Sequence, residues 1–489
     1  MKWTAGAWGR LFPGKSACAI SALWVTMAAG ATAQTFTTLH TFDGTDGGGS
    51  WAAVVQGVDG ALYGTTYNGG SGGGGTVFKI TPAGTLTTVY NFCSLSGCAD
   101  GALPQGRLGE TANGDFYSTT TAGGQGNCPR GCGTIYRVRS GKLTTLDSFN
   151  NTNGADPADG LVPATNGYLY GTTVQGGANT CSSTTGCGTV FRITPRGTLT
   201  NMHSFAGSDG RQIYARLVQA TDGDIYGTTY AGGNNACLWG CGTVYKITPN
   251  GTLTTLHNFN GADGSSPVGG LIQAADGNLY GETKMGGTQN SGTVFRITPD
   301  GALTTIYNFC SQTNCADGWG PPADMVQAMD GNFYGTTAAG GTGGRGTIFR
   351  LSPSGALTTL YNFCSQSGCP DGADPEGGLT QATNGDLYGT TRLGGASNRG
   401  TVFSLSVGLG PFVKTLPIMG KAGTVVEILG NDLTEASSVT FNGTAAVFTV
   451  NSTGTGISTT VPPGATTGTV QVVTPGGTLQ SNVLFTVLP

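Results

Sequence analysis

Twelve of the thirteen cysteines fall into close pairs: Cys93 with Cys98, Cys128 with Cys132, Cys181 with Cys187, Cys237 with Cys241, Cys310 with Cys315, and Cys364 with Cys369. Such pairs can oxidise, bind zinc or stay reduced. Zinc needs two pairs brought together, usually at shorter spacing, and no His lies nearby to help. In an exported chain an even set of local pairs reads as disulfides, each worth about 2 kcal/mol by the chain-entropy argument. A second set is acidic. Asp-Gly or its equivalent recurs at Asp46, Asp100, Asp159, Asp209, Asp263, Asp317 and Asp371. Seven carboxylates on one face could collect Ca²⁺, the one candidate cofactor, which favours oxygen ligands. The preferred alternative is that each Asp caps a turn through its backbone N–H groups.

A third set varies where its surroundings repeat. The positions before each Gly-Gly are Tyr67-Asn68, Thr121-Ala122, Val174-Gln175, Tyr230-Ala231, Lys284-Met285, Ala338-Ala339 and Arg392-Leu393. Tyr67, Tyr230, Lys284 and Arg392, with Trp239 and Trp319 in loops, would suit stacking on sugar rings or peptide. Plain drift of solvent-exposed positions is the competing explanation. Catalysis has little support. His40, His203 and His257 share one repeat position, which is Tyr90, Tyr307 or Tyr361 elsewhere and Asp147 once. A position that accepts His, Tyr or Asp is structural, and this removes the usual general base for a Ser or Cys nucleophile. Glu110, Glu282 and Glu376 leave a glycosidase-type carboxylate pair conceivable. The SGGGGT run at 71–76 precedes no helix, so it is no phosphate loop.

The elements that must position these residues are legible. Residues 270–309 read GLIQAADGNLYGETKMGGTQNSGTVFRITPDGALTTIYNF, with four β-rich runs, LIQA, NLYGET, TVFRIT and LTTIYNF. Asp276-Gly277 and Pro299-Asp300-Gly301 supply tight hairpins, so one unit is a four-stranded antiparallel meander. Marker tyrosines at 63, 117, 170, 226, 280, 334 and 388 repeat it at a near-constant period of about 54 residues. Such a period with four strands per unit predicts a seven-bladed β-propeller. The last unit lacks its fourth strand, and TFTTLHTF at 35–42 supplies it, closing the ring and removing its open edges. The Gly after each marker Tyr (Ser118 in one unit) is expected to admit an aromatic ring from the neighbouring blade. Short hairpins fall on one face, and every long connection, with all six Cys pairs, falls on the other.

Composition agrees. Charged residues are 10% and glycines number 88 without a Gly-X-Y period, which excludes collagen and favours a β protein. The net charge of −4 and the lack of a basic run give nucleic acid no support. Lys2, Arg10 and Lys15, an apolar run from about Ala17 to Ala29, and Ala31-Thr32-Ala33 read as a signal peptide cleaved near Ala33. Cys18 lacks the context of a lipoprotein signal, no later stretch is long enough to span a bilayer, and no sorting tail is seen before Pro489.

The pattern DG-x-LYGTT, GG, GTVF-K/R-I, G-x-LTTL-x-x-F resembles the GloVer tandem repeat of exported bacterial proteins over about residues 35–405. That resemblance implies exported proteins with varied C-terminal modules and brings no agreed activity and no catalytic residues. After a linker at 407–411, VVEILGNDL, SSVTFNGTAAVFTV and ISTTVPPGATTGTVQVVTPGGTLQSNVLFTV resemble an IPT/TIG immunoglobulin-like domain over 412–489, with LPIMGKAG as its first strand. The resemblance implies a β-sandwich that serves as spacer or binding module. The expected protein is all-β, monomeric and secreted, cell-surface or periplasmic. It engages a polysaccharide or a cell-surface protein through the long-loop face. A polysaccharide-active hydrolase or lyase using carboxylates there is the alternative, and a purely structural surface role comes third.

Overall fold

Each repeat buries both faces of its inner strands, which is why its second and third runs show so little polar alternation. In the fifth sheet the strands are Ile272–Gln273, Leu279–Thr283, Thr293–Ile297 and Leu303–Asn308, paired antiparallel in chain order. Leu279–Thr283 is buried throughout. Its leading hairpin turns at Gly277, where φ is +82° and glycine costs least. The Asp276 carboxylate accepts hydrogen bonds from the Asn278 N–H (3.0 Å) and the Tyr280 hydroxyl (2.9 Å).

The protein is described here by a computed structural model covering residues 34–181, 186–233 and 237–489. The expected signal segment, with Cys18, lies outside the described residues. Seven four-stranded, propeller-like sheets follow one another. The last is made of Thr380–Gln381, Leu387–Thr390, Thr401–Ser406 and the N-terminal strand Thr35–Thr41, whose Thr35 pairs with Ser406 and Thr41 with Thr401. Consecutive sheets meet through an edge-on aromatic pair, such as Phe149–Phe191 (5.2 Å) and Phe259–Phe295 (5.2 Å). The same pair, Phe42–Phe78 at 5.4 Å, joins the last sheet to the first.

A second ring of contacts runs on the hairpin side. The amide oxygen at the end of one sheet's first strand accepts an N–H from the preceding sheet, as Gln273 does from Thr221 (2.8 Å) and Gln327 from Ala275 (2.9 Å). Gln56 and Thr383 make the closing contact at 2.9 Å.

The glycine after each marker Tyr does admit an aromatic ring, but from its own sheet. A Cβ on Gly335 would lie 2.5 Å from the ring of Phe349, its cross-strand partner. The expectation of a neighbouring blade's ring is thus corrected: residues opposed across two strands share one face of the pleat, so the third strand's ring covers the gap. Gly335→Ala should therefore cost about 1–3 kcal/mol in denaturant melts, whereas Gly410→Ala, with nothing within 4 Å, should be neutral.

All six expected cysteine pairs are disulfide-bonded, and all lie in long connections. Beyond Ser406 the chain docks at once: the Phe412 N–H donates to the Thr383 carbonyl at 3.0 Å, and Phe412 is fully buried. Two further four-stranded sheets then enclose a core of Val426, Ile428, Val439, Phe441, Ile457, Val470, Val472 and Phe485. The expected first strand over LPIMGKAG is instead two short ones, Lys414–Leu416 and Met419–Gly420, which pair in different sheets. Pro417 lies between them and has no N–H for a ladder. No helix among the described residues is long and apolar enough to cross a membrane.

Candidate functional site

Ahead of each sheet's first strand the chain comes in from the long-connection side, and two positions in this approach matter. The first is held by Trp51, Gln105, Ala158, Tyr214, Val268, Pro322 and Glu376, and all seven line a single pocket of about 600 Å³. One residue from every sheet around one pocket places it on the axis of the ring. Two residues further along come Ala53, Arg107, Gly160, Arg216, Gly270, Asp324 and Gly378. Glycine or alanine fills this axial position in four sheets, and the other three carry charge.

Arg107 extends from the second sheet to the seventh, where its Nη2 donates to Thr380 Oγ1 at 2.9 Å. Asp159, one residue before the axial position, accepts from the backbone N–H groups of Gly160 (2.5 Å) and Arg107 (3.2 Å). Asp324 accepts from the Gly270 N–H. Burial, reinforced by the neighbouring Asp324 charge, pushes the Asp159 carboxyl up to about 7. Burial also draws Arg107 down to about 10, with Arg216 adding to the effect. Glu376 is raised by burial, against the opposing pull of Lys284 and Arg392.

The other end of the axis is met by the C-terminal module. Val58, in a hairpin of the first sheet, accepts from Thr455 Oγ1 (2.8 Å) and Asn451 Nδ2 (3.2 Å). Glu110 occupies the ring position that is Gln in five sheets, and its Oε1 accepts from the Val58 N–H at 3.1 Å. Its Oε2 is buried without a hydrogen-bond partner among the described residues. Burial raises Glu110 to about 8. Lys414, from the first strand after the linker, is brought down to about 8 by burial and then by Arg107, with Glu110 acting the other way.

The stacking candidates do not form one site. Tyr230 and Lys284 line the axial pocket. Tyr67 lies edge-on to Trp51 at 6.1 Å, and the Arg392 guanidinium sits 4.9 Å over the Trp51 ring while donating to Asp374 at 3.1 Å. Trp239 is outside the lining, 68% exposed on the Cys237–Cys241 loop beneath Arg211, and Trp319 is outside it too, 46% exposed. Trp239 stands on a loop tip, whereas Trp319 is bridged to Ala339 three residues before Pro322.

The acidic set also divides. Asp46, Asp209 and Asp263 pair with His40 (2.6 Å), His203 (2.7 Å) and His257 (2.8 Å). Asp100, Asp317 and Asp371 accept from the hydroxyls of Tyr90 (2.9 Å), Tyr307 (2.8 Å) and Tyr361 (2.9 Å). Each of the six also accepts a backbone N–H from a few residues earlier, as Asp46 does from Asp43, Asp209 from Ala206 and Asp100 from Ser94. Asp159 does not belong with them. In its sheet Asn153 holds the turn, bonding the Asn150 N–H at 2.9 Å, and Asp159 comes six residues later at the axis. No group of three or more His, Cys, Asp or Glu placed to hold a metal ion occurs among the described residues.

Trp51, Tyr214, Arg107, Arg216, Asp324 and Lys414 were not singled out from sequence. A signal for three of them existed: Arg107, Arg216 and Asp324 are charged residues at a repeat position otherwise held by Gly or Ala. Nothing local marked Lys414, which depends on how the C-terminal module docks.

Among solved structures, a fungal alcohol oxidase of the AA5 family, in complex with copper, is 11% identical with a TM-score of 0.52, over 93% of this chain and 99% of that one. At that identity the likeness concerns the fold alone. A 6-phosphogluconolactonase-like protein from Bacteroides fragilis is 19% identical (TM-score 0.45, 76% of this chain and 90% of that one). An auxiliary nutrient binding protein from Bacteroides ovatus is 12% identical (TM-score 0.40, 76% of each chain). No curated protein matches the chain. The profile of the Gloeobacter/Verrucomicrobia repeat matches residues 25–184, 128–316 and 239–457. With most of its length so matched, the chain belongs to the Gloeobacter/Verrucomicrobia repeat family.

Proposed function

We propose that this is an exported bacterial binding protein, a seven-bladed β-propeller over residues 35–406 followed by an immunoglobulin-like sandwich over 412–489, and that it takes a glycan into its axial pocket. The observation that carries the reading is the rim: Trp51, Tyr214 and Tyr230 converge on one pocket of about 600 Å³ from rigid sheets. Aromatic faces held by a scaffold bind sugar rings with little ordering cost. Disulfides in the loops fit an extracellular or periplasmic setting. The sandwich serves as spacer and as the stopper behind the axis. The reading needs no cofactor, because the Asp turns are already occupied by protein donors. It also leaves a monomer and no nucleic-acid partner as the expectation.

Binding of the mature chain, residues 34–489, to a polysaccharide panel tests this. Trp51→Ala should weaken retention about tenfold or more, as truncation of a buried anchor does. Trp239→Ala, on its separate exposed loop, should change nothing. Equal loss in both variants, or in neither, sinks the axial site. A second reading has its own observation, since Asp159, Asp324 and Glu376 line the same pocket and Asp159 is poised at about 7. A carboxyl so poised suits general acid work on a glycosidic bond. Release of reducing or unsaturated ends in the same tubes would favour a polysaccharide-active enzyme.

A further inference from the structure

The second and third sheets gather arginines on their hairpin side, although the sequence holds no basic run. In six sheets the third strand carries a Lys or Arg opposite the marker tyrosine: Lys79, Arg137, Arg192, Lys246, Arg296 and Arg350. The first, fourth, fifth and sixth sheets keep an Asp in the leading hairpin, where Asp59, Asp222, Asp276 and Asp330 accept that tyrosine's hydroxyl. Asn113 and Asn166 stand there in the second and third sheets, so both lack this carboxylate. Asp115 is the acid left in the second sheet's hairpin, and it is buried and held by Arg139 at 2.6 Å. The third sheet's hairpin has none, and Arg192 turns to the Tyr168 ring (4.6 Å) and the Pro249 carbonyl (3.0 Å).

A crevice of about 730 Å³ opens here between the ring and the sandwich. Arg137, Arg139 and Arg196 line it, and Glu427, on the sandwich strand Val425–Leu429, is the one carboxylate in its lining among the described residues. Arg137 lies beside the Tyr117 hydroxyl, and no ion pair among the described residues holds Arg137 or Arg196. A cleft with low-dielectric walls focuses a field of one sign, and guanidinium groups match oxyanions in two-point fashion. A bare ion would fill little of this volume, whereas Tyr168, Pro163, Pro195 and Val425 offer walls for a ring.

We propose that this crevice receives a sugar carrying an oxyanion, sulfate or carboxylate, with Arg137 and Arg196 donating to its oxygens and the sugar ring lying against Tyr168 and Val425. Arg139, already neutralised by Asp115, adds little. The site is separate from the axial pocket and does not depend on what that pocket binds. The sandwich supplies one wall of it, and Glu427 on that wall opposes the incoming charge.

The test is calorimetric titration of the chain 34–489, at low and high salt, with hexasaccharides of carrageenan, polygalacturonate and neutral galactan. At least one acidic hexasaccharide should bind, more weakly as salt rises, and the sulfate and carboxylate arms show which oxyanion fits. Arg196→Met should weaken that binding about tenfold, as loss of a charge-assisted hydrogen bond does. Arg211→Met, which removes an equal charge from the long-loop face, should change nothing. Glu427→Gln should tighten the acidic sugar several-fold, a gain that no folding defect could imitate. Acidic and neutral sugars bound alike, both indifferent to Arg196→Met and Glu427→Gln, would overturn the crevice site. Equal losses from Arg196→Met and Arg211→Met would overturn it too, by reducing the effect to overall charge. So would the absence of binding by either acidic sugar.

Discussion

A chain beginning at residue 44 should lose of the order of 5 kcal/mol or more, close to the whole stability of an ordinary domain. The missing strand, Thr35–Thr41, is the outer strand of the last sheet. With it go the stack of Phe36 on Tyr361 at 3.9 Å and the contact of Phe42 with Phe78 at 5.4 Å. Phe42 is fully buried, and removing such a side chain alone costs about 3–5 kcal/mol. The truncation also bares the backbone of Thr401–Ser406, a free edge that can pair with another molecule. The truncated protein should melt early and scatter light, and a peptide of residues 34–43 added in trans should restore both properties. A truncated chain that melts like the full one without peptide would show that the ring does not depend on this strand.

Replacing Glu282 with the Thr found at its place in the other sheets should stabilise the protein, and more so as pH rises. Glu282 is fully buried, neither carboxyl oxygen has a hydrogen-bond partner among the described residues, and burial with the Asp324 charge holds its carboxyl well above its ordinary 4.5. The folded state therefore keeps a proton that the unfolded chain has lost above pH 4.5. Stability is then full below that pH and falls as pH rises toward the folded-state value, by up to about 1.4 kcal/mol per pH unit. Thr has no such cost, and its hydroxyl finds the next sheet's carbonyl, as Thr390 does with Ala52 (3.0 Å) and Thr336 with Gly377 (3.3 Å). Denaturant melts at pH 5, 6 and 7 should show a widening gap in favour of Glu282→Thr. Parallel profiles for the two proteins would mean that Glu282 ionises freely in the fold.

Much of the scaffold was legible because packing repeats. Hairpin signals, the marker tyrosines and the orphan strand at 35–42 each state a local rule, and seven copies of a local rule describe a ring. Cysteine pairing was legible for the same reason, since each pair closes within one loop. The site was less so. Tyr230 and Lys284 were found because they vary inside a repeated phrase, yet the same criterion brought in Tyr67 and Arg392, which pack around Trp51 outside the lining, and the tryptophans added from the loops, Trp239 and Trp319, are outside it too. Asp159 was placed with the turn carboxylates because it precedes a Gly, although Asn153 does that work in its sheet. The difference between turn and axis is a matter of six residues of register, and composition does not resolve it. Lys414 reaches the axis only through contacts such as that of Phe412 with Thr383, which belong to tertiary docking.

The axial approach has a consequence for how such a protein changes over time. The residues that lock sheet to sheet, Phe149 against Phe191 or Gln327 against Ala275, are not the ones that face the axis. The seven rim positions can be rewritten without touching those aromatic and amide locks, as Trp51, Val268 and Glu376 at equivalent places already illustrate, whereas the axial ones are held by their neighbours, since a Cβ on Gly160 would lie 1.6 Å from the Arg107 carbonyl. Recognition is thereby decoupled from fold maintenance: a lineage could exchange one ligand for another by small independent edits around a fixed wheel, with the architecture indifferent to the outcome.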